Sequence, residues 1–466
     1  MKQFALITLV FIFALVSCAP VTTVASTQTA IPTSTLTPVP PTITPTPAPE
    51  NLADANDLST WVDQYVNAYG GQVTVNSVEM NTTQLTNAIK ANPDSFTQEK
   101  QINGIEYSFL VVNDAPLAIN KEQKTWEAIG LKDLGNMLNI EIGDSLAWKT
   151  KDETEIHDPR YFSILERNYS VITFAQGIYW KWFEPEYNGA IDQWSLYDIK
   201  SQIAILKNIN PLFTIRVQPL LFAANNPDWL SSLTAEEQKS AIEKHIQDVY
   251  DTLTKLNVQP TEWVVVNEPY FKGSGWVRED NLYDKLGYDY IPFSFQTARH
   301  ILSPNAILIY NDVANNSSSQ TEYSYYTDLT KQNIERIKQT GIDNIAVGLQ
   351  MHLTGTVPPN ESDLITTMQS YGFPVYITEL DVDMSGIPEN QQQIIQSDIF
   401  ATVFRAAIKS GVCKGISFWN GVDIYSWPKD YLGRLDSNPT LFNDNFEPKQ
   451  SYYAVLKELF TFVENK

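Results

Sequence analysis

Residues 262–269 read "EWVVVNEP". An unbroken run of Trp263, Val264, Val265 and Val266 suits a strand buried on both faces. It ends in Asn267, Glu268 and Pro269, and a carboxylate at the edge of an apolar run is costly unless it is paired, solvated or used. Working outward from this stretch, the chain alternates from Trp126 onward. Upstream lie "NIEIGDSL" (139–146), "YSVITFAQ" (169–176) and "PLFTIRVQPL" (211–220). Downstream lie "NAILIYND" (305–312), "IAVGLQMHL" (345–353), "PVYITELDV" (374–382) and "GISFWNGVD" (415–423). Amphipathic stretches such as "AEEQKSAIEKHIQDVYDTLTKL" separate them, and "KQSYYAVLKELFTFVENK" closes the chain. Eight strand–helix units predict an α/β fold, a (β/α)8 TIM barrel over 123–466. A doubly wound sheet is the alternative, weakened because no glycine-rich phosphate loop follows the first strand.

In such barrels the site lies where strands end and loops begin. Polar residues gather there: Gln176, Gln218, Glu268, Asn311, Asp312, His352, Glu379 and Asp423. Glu268 ends the fourth strand and Glu379 lies near the end of the seventh, facing it across the mouth. Cleavage of a glycosidic bond needs this pairing, one acid to protonate the leaving oxygen and one carboxylate on the other side of the sugar. Solvated charge at two strand ends is the plainer reading of the same residues. Alternation in "ITELDV" points Glu379 and Asp381 to one face, and in "LQMHL" it does so for Gln350 and His352. A histidine beside a carboxylate can hold it ionised and oriented, and Asp381 can fix that imidazole in turn.

The remaining composition fits this picture. The 466 residues are 43% hydrophobic and 12% aromatic, enough for a large core. A formal charge of −22 argues against nucleic acid as a partner. No clustered Cys/His ligand set is present, and neither metal nor cofactor is expected. Of the two cysteines, Cys413 reads as a small core residue, and no intrachain disulfide is expected.

The N-terminus has a different texture. Lys2 precedes "FALITLVFIFALVSC" (4–18), a secretory signal too short for a comfortable membrane span. Its end, Leu15 to Cys18, resembles a bacterial lipobox, which implies cleavage after residue 17 and a lipid on Cys18. Residues 18–50, with "TPVPPTITPTPAPE" (37–50), favour extended polyproline II and read as a linker lifting the folded part from a membrane. Residues 51–122 predict a small α+β segment. "DLSTWVDQYVNAYG" and "TTQLTNAIKAN" have helical spacing, and "QINGIEYSFLVVND" has an Asn-Gly hairpin turn.

Taken in order, "VVVNEP", "LQMHL", "VYITELDV" and "ISFWNGVDIYSW" resemble glycoside hydrolase family 10, the (β/α)8 endo-1,4-β-xylanases, over roughly 126–462. The tail "PTLFNDNFEPKQSYYAV" resembles the family's last loop and helix. The resemblance implies roles: Glu268 as general acid/base, Glu379 as nucleophile, and Asn267 on the 2-hydroxyl of the sugar beside the cut, with Gln350 nearby. It implies that His352 holds Glu379 and that Trp419 and Trp427 wall the cleaved sugar and its neighbour. "FAQGIYWKWFEP" keeps the family's Trp180, Glu184 and Pro185, but Ala175, Gln176 and Tyr179 stand where the family has Glu, Asn and Lys. "IRVQPLLFAANNPDW" keeps Arg216, Pro227 and Trp229, with Gln218 and Phe222 at the His and Trp positions. Trp180, Gln176 and Gln218 are thereby expected among the sugar-binding residues, on the non-reducing side of the cut.

The expected protein is a monomeric, surface-anchored, retaining glycanase acting on xylan or a related hemicellulose. Its only membrane contact would be the lipid. A β-glycanase with altered glycone preference and a non-catalytic oligosaccharide-binding lipoprotein are the alternatives. Retention of both glutamates favours an enzyme.

Overall fold

The computed structural model describes residues 55–120, 126–146, 148–150, 153–154, 158–174, 176–269, 281–313 and 320–465. The signal segment, Cys18, the Pro/Thr-rich linker and Ala175 lie outside the described residues.

Eight parallel strands form a closed ring. They are β1 (Glu141–Ser145), β2 (Val171–Phe174), β3 (Thr214–Val217), β4 (Glu262–Asn267), β5 (Ile307–Asp312), β6 (Ile345–Leu349), β7 (Val375–Asp383) and β8 (Cys413–Phe418). Each pairs with the next in sequence, and β8 returns to β1 through Gly415 opposite Glu141. A helix follows every strand, in turn Pro159–Asn168, Gln193–Ile209, Ala235–Lys255, Tyr290–Ile301, Gln320–Lys338, Glu361–Ser370, Glu389–Ser410 and Gln450–Glu464. The (β/α)8 expectation is met.

Local sequence explains the elements. The helix Ala235–Lys255 starts where Thr234 and Glu237 cap each other's backbone N–H groups. Its buried Ala241, Ile242, Ile246, Val249 and Leu253 recur at three- and four-residue spacing, so one stripe faces the barrel. In β4, Trp263 and Val265 pack outward among the helices, while Val264 points inward to Ile309, Ala346 and Tyr376. The register slips between Val264 and Val266 against β5, a bulge that carries the strand's end to the barrel mouth. At the opposite end of the barrel, the buried Arg216 donates through Nε to Glu262 at 2.7 Å and through Nη1 to Ser417 Oγ at 2.8 Å. Burial and the neighbouring Glu262 push Glu141 up to about 9, so it keeps a proton at neutral pH and spares this cluster a second negative charge.

The N-terminal segment has helices Ala55–Ala68 and Thr82–Ala91 and an antiparallel sheet of Thr97–Ile102, Ile105–Val112, Ala115–Asn120 and Trp126–Ala128. The expected hairpin turns at Asn103 and Gly104, both at positive φ (52° and 82°), as a two-residue turn of this twist requires. The fourth strand lies past residue 122, so a boundary placed there falls within the sheet. The segment packs on the helix Gln450–Glu464: Phe109 meets Phe460 edge-on at 4.8 Å, and Tyr65 meets Tyr453 at 5.0 Å. One apolar core runs through both parts. Cys413 is a buried free thiol in β8.

Candidate active site

The polar strand ends of β4 to β7 converge on two carboxylates. Glu268, the residue after β4, has φ of +45°, and its N–H donates to the Asn311 carbonyl at 3.0 Å. This kink turns its side chain out of the strand's alternation, where Gln350 Nε2 donates to its Oε1 at 2.6 Å. Glu379 lies within β7 and is nearly sealed from solvent, at 5% exposure. Its Oε1 accepts from Gln218 Nε2 at 2.6 Å and from Asn311 Nδ2 at 2.7 Å. Its Oε2 lies 3.2 Å from His352 Nε2. Three donors on one carboxylate fix its plane.

His352 stands between two acids, with Nδ1 2.9 Å from Asp381 Oδ2. Burial works against the charged ring, but Asp381 and Glu379 on either side outweigh it and push the imidazole up to about 10. The ring is therefore an imidazolium at neutral pH, donating at both nitrogens. Trp427 Nε1 also donates to Asp381 Oδ2, and its indole lies 5.0 Å from the His352 ring, with Trp419 at 6.5 Å. Asn267 is buried, and its Oδ1 accepts from Asn311 at 2.8 Å and from Gln350 at 3.3 Å. Thus Asn267, Asn311 and Gln350 form one amide network that touches both carboxylates.

Sequence reasoning reached most of these residues, with two differences of route. Gln350 and His352 do converge, but not through alternation in one strand. β6 stops at Leu349, Met351 turns at φ of +64°, and His352–Thr354 restarts beside β7, with His352 opposite Asp381. Asn311 was seen as a polar strand end and given no role, yet it touches Glu379 directly. Thr378 Oγ1 donates to Asn311 Oδ1 at 2.7 Å and sets the amide's orientation. The residue opposite must be glycine. A Cβ on Gly348 would stand 2.3 Å from Asn311 Oδ1.

On the β2 and β3 side the picture differs from expectation. Trp180 is 1% exposed, and its indole lies flat on His245 with ring centroids 4.5 Å apart, so it offers no face to a sugar. It belongs to a prop under the loop. His245 Nδ1 and Lys244 Nζ both meet Glu184, at 2.7 and 2.6 Å. Burial alone would raise Glu184, but His245 and Lys244 prevail and hold it down at about 2. Gln218 has turned its amide to Glu379. Gln176 sits in the turn Gln176–Ile178 after β2, and its side chain lies outside the described residues. Around it, Tyr179 packs 5.3 Å from Trp182 and 6.2 Å from Phe222.

Comparison with known proteins agrees with this geometry. Residues 136–458 match the profile of glycosyl hydrolase family 10. Endo-1,4-beta-xylanase A of Phanerodontia chrysosporium is 28% identical over 312 residues, covering 65% of this chain and 72% of that enzyme. Endo-1,4-beta-xylanase B of Neocallimastix patriciarum is 33% identical over 252 residues, 52% of this chain, but the chain spans only 27% of that longer protein. Among solved structures, xylanase 10B of Thermotoga petrophila RKU-1 in complex with xylobiose superimposes with a TM-score of 0.60 at 26% identity, covering 72% of this chain and 99% of that one. With the barrel, the paired strand-end glutamates and the matched profile in agreement, the chain belongs to glycosyl hydrolase family 10.

Proposed function

We propose that this protein is a retaining endo-1,4-β-xylanase that cleaves xylan or a related hemicellulose, with Glu379 as nucleophile and Glu268 as general acid/base. The observation that carries this is how Glu379 is held: its carboxyl meets Gln218, Asn311 and the His352 imidazolium at 2.6, 2.7 and 3.2 Å. Glu379 attacks the anomeric carbon as the bond to the leaving oxygen breaks, and Glu268 gives that oxygen its proton. The product is a glycosyl ester on Glu379. Glu268, left as a carboxylate once its proton has gone to the leaving oxygen, then takes a proton from an incoming water. Water attacks the anomeric carbon, the ester breaks, and both carboxyls return to their first state. In this reading Asn267 bonds the sugar's 2-hydroxyl and Gln350, nearby, holds Glu268, a role that its 2.6 Å bond to Glu268 Oε1 supports. Trp419 and Trp427 wall the sugar.

Glu379→Ala tests the assignment: hydrolysis of xylan and of aryl β-xylosides should fall by at least roughly 10⁴-fold, the scale of a lost nucleophile. Wild-type turnover in that variant would overturn it. One observation favours a second reading, an altered glycone preference: Tyr179, Gln218 and Phe222 replace charged and hydrogen-bonding grips of the family. Products released from xylan, mixed-linkage glucan and cellulose separate the two.

We also propose that the protein is exported and anchored by lipid at Cys18. The apolar 4–18 segment and its Leu15–Cys18 ending support this. Labelled fatty acid should enter the wild type and not Cys18→Ser.

A further inference from the structure

A cavity of about 350 Å³ lies in the seam between the N-terminal segment and the barrel. Three helices each turn one face to it. Trp61 and Gln64 come from Ala55–Ala68, Arg160 and Arg167 from Pro159–Asn168, and Tyr452 and Tyr453 from Gln450–Glu464. None of the residues that hold Glu268 or Glu379 lines it. Its walls are apolar, and several polar groups set into them are left open. Arg160 is already engaged, paired with Asp158 at 2.7 Å and lying 4.1 Å over the Phe446 ring. Arg167 is half-buried and, among the described residues, makes no ion pair and no side-chain hydrogen bond. This is in a chain whose 54 acids outnumber its 32 lysines and arginines, so partners are not scarce. The Arg167 charge acts on the hydroxyls of Tyr452 and Tyr453. The first of these is committed to Asn168 Oδ1 at 2.9 Å. The Tyr453 hydroxyl, on a side chain only 5% exposed, has no partner among the described residues, and neither has the half-buried Gln64 amide. Glu447, an acid at the rim, is exposed and accepts from Asn443 Nδ2 at 3.0 Å.

The open groups describe a ligand. A guanidinium takes a carboxylate through two parallel N–H donors. An amide and a phenol hydroxyl exchange hydrogen bonds with hydroxyl groups. Apolar walls receive the C–H parts of a ring, in a cavity of the size that small ligands fill. A pyranose that carries a carboxylate meets all three demands.

We propose that this seam is a second ligand site, which binds a uronic acid with its carboxylate on Arg167 and its ring hydroxyls on Gln64 and Tyr453. The site is separate from bond cleavage and does not depend on the assignment of Glu268 and Glu379. It gives the segment before the barrel a function, because that segment supplies Trp61 and Gln64 as one wall.

Calorimetric titration of the full protein with sodium glucuronate tests this. Saturable binding is expected, roughly tenfold or more tighter than for glucose, which has a similar ring without the carboxylate. Arg167→Gln should lose roughly tenfold or more in affinity for glucuronate, and Gln64→Ala about three- to tenfold. Turnover of xylan should be unchanged in both. Methyl glucuronide, capped at its anomeric carbon as a polysaccharide branch is, identifies the source. Binding as tight as the free acid's assigns the site to a branch, and loss of binding assigns it to the released acid. The glucose comparison and Gln64→Ala leave Arg167 in place, so they decide the matter should Arg167→Gln not fold. No saturable binding of glucuronate overturns the proposal, as does equal affinity for glucuronate and glucose, or equal affinity in wild type and both variants. Tighter binding of 4-hydroxycinnamate, a flat aromatic carboxylate, also overturns it.

Discussion

The two halves of the barrel mouth are built on different physics. From β4 to β7, side chains rooted on strands are wired by short polar contacts: Glu379 has three donors, and three amides link it to Glu268. On the β2 and β3 side, the rings of Tyr179, Trp182 and Phe222 lie tilted or perpendicular to one another, and Lys244 and His245 meet the buried Glu184. Bond making needs reacting groups held closely in place, which strands supply. A loop whose rings only pack on one another is under no such constraint.

The contrast can be broken in graded steps. Glu268→Ala should cost most, roughly 10²- to 10⁴-fold in kcat for xylan. The loss should be much smaller for an aryl glycoside whose leaving group needs no proton, and equal losses on both would remove Glu268 from the acid's role. Asn311→Ala comes next. It takes one donor from Glu379 and leaves Asn267 short of one, so a loss of about 1–3 kcal/mol of transition-state stabilisation is expected, or roughly 10- to 100-fold in kcat/KM. An effect on KM alone would place Asn311 in sugar binding only.

The two regions should also answer pH in opposite directions. His352 is raised in the folded state, so its stabilisation is complete below about 6.5, the free imidazole's range, and fades as pH climbs toward about 10. Glu184 is lowered to about 2, so its contribution stands above the ordinary carboxylate range and fades as pH falls toward that value. Denaturant unfolding of His352→Gln should flatten the alkaline limb, and Glu184→Gln the acid one. Glu184→Ala should also lower stability by roughly 3 kcal/mol, because the buried His245 loses its carboxylate partner, while Lys244 keeps Asp248. It should raise KM for long chains more than it lowers kcat. If kcat suffers equally, the two regions are not separate. Lys181→Ala should do least, within about 1 kcal/mol, since its pair with Asp228 is exposed.

The legible parts of the sequence were those where one residue's chemistry decides its place. Runs such as "WVVV" have no outlet but a strand covered on both sides, so the barrel and the strands bearing Glu268 and Glu379 could be read directly. The helices followed from spacing. Asn311 was harder, because its contact with Glu379 exists only once β5 and β7 curve around the glycine at 348. The choice between Trp180 and Trp182 was harder still. Two residues apart on a single helical turn, they lie on nearly opposite sides, and only the position of His245 decides which one is covered. Gln218 was expected at a sugar and is found on Glu379, since the reach of an amide across a barrel depends on closure, not on sequence spacing.

The helix Gln450–Glu464 has a consequence in time. It is synthesised after all eight strands, yet it supplies Tyr453 and Phe460 to the segment that begins at Ala55. On the ribosome the early segment must therefore wait, with the apolar side that holds Tyr65 and Phe109 uncovered, until the helix Gln450–Glu464 has emerged. Folding of the first part is thus contingent on completion of the last, and a product truncated before residue 450 would carry that uncovered side as a mark of incompleteness.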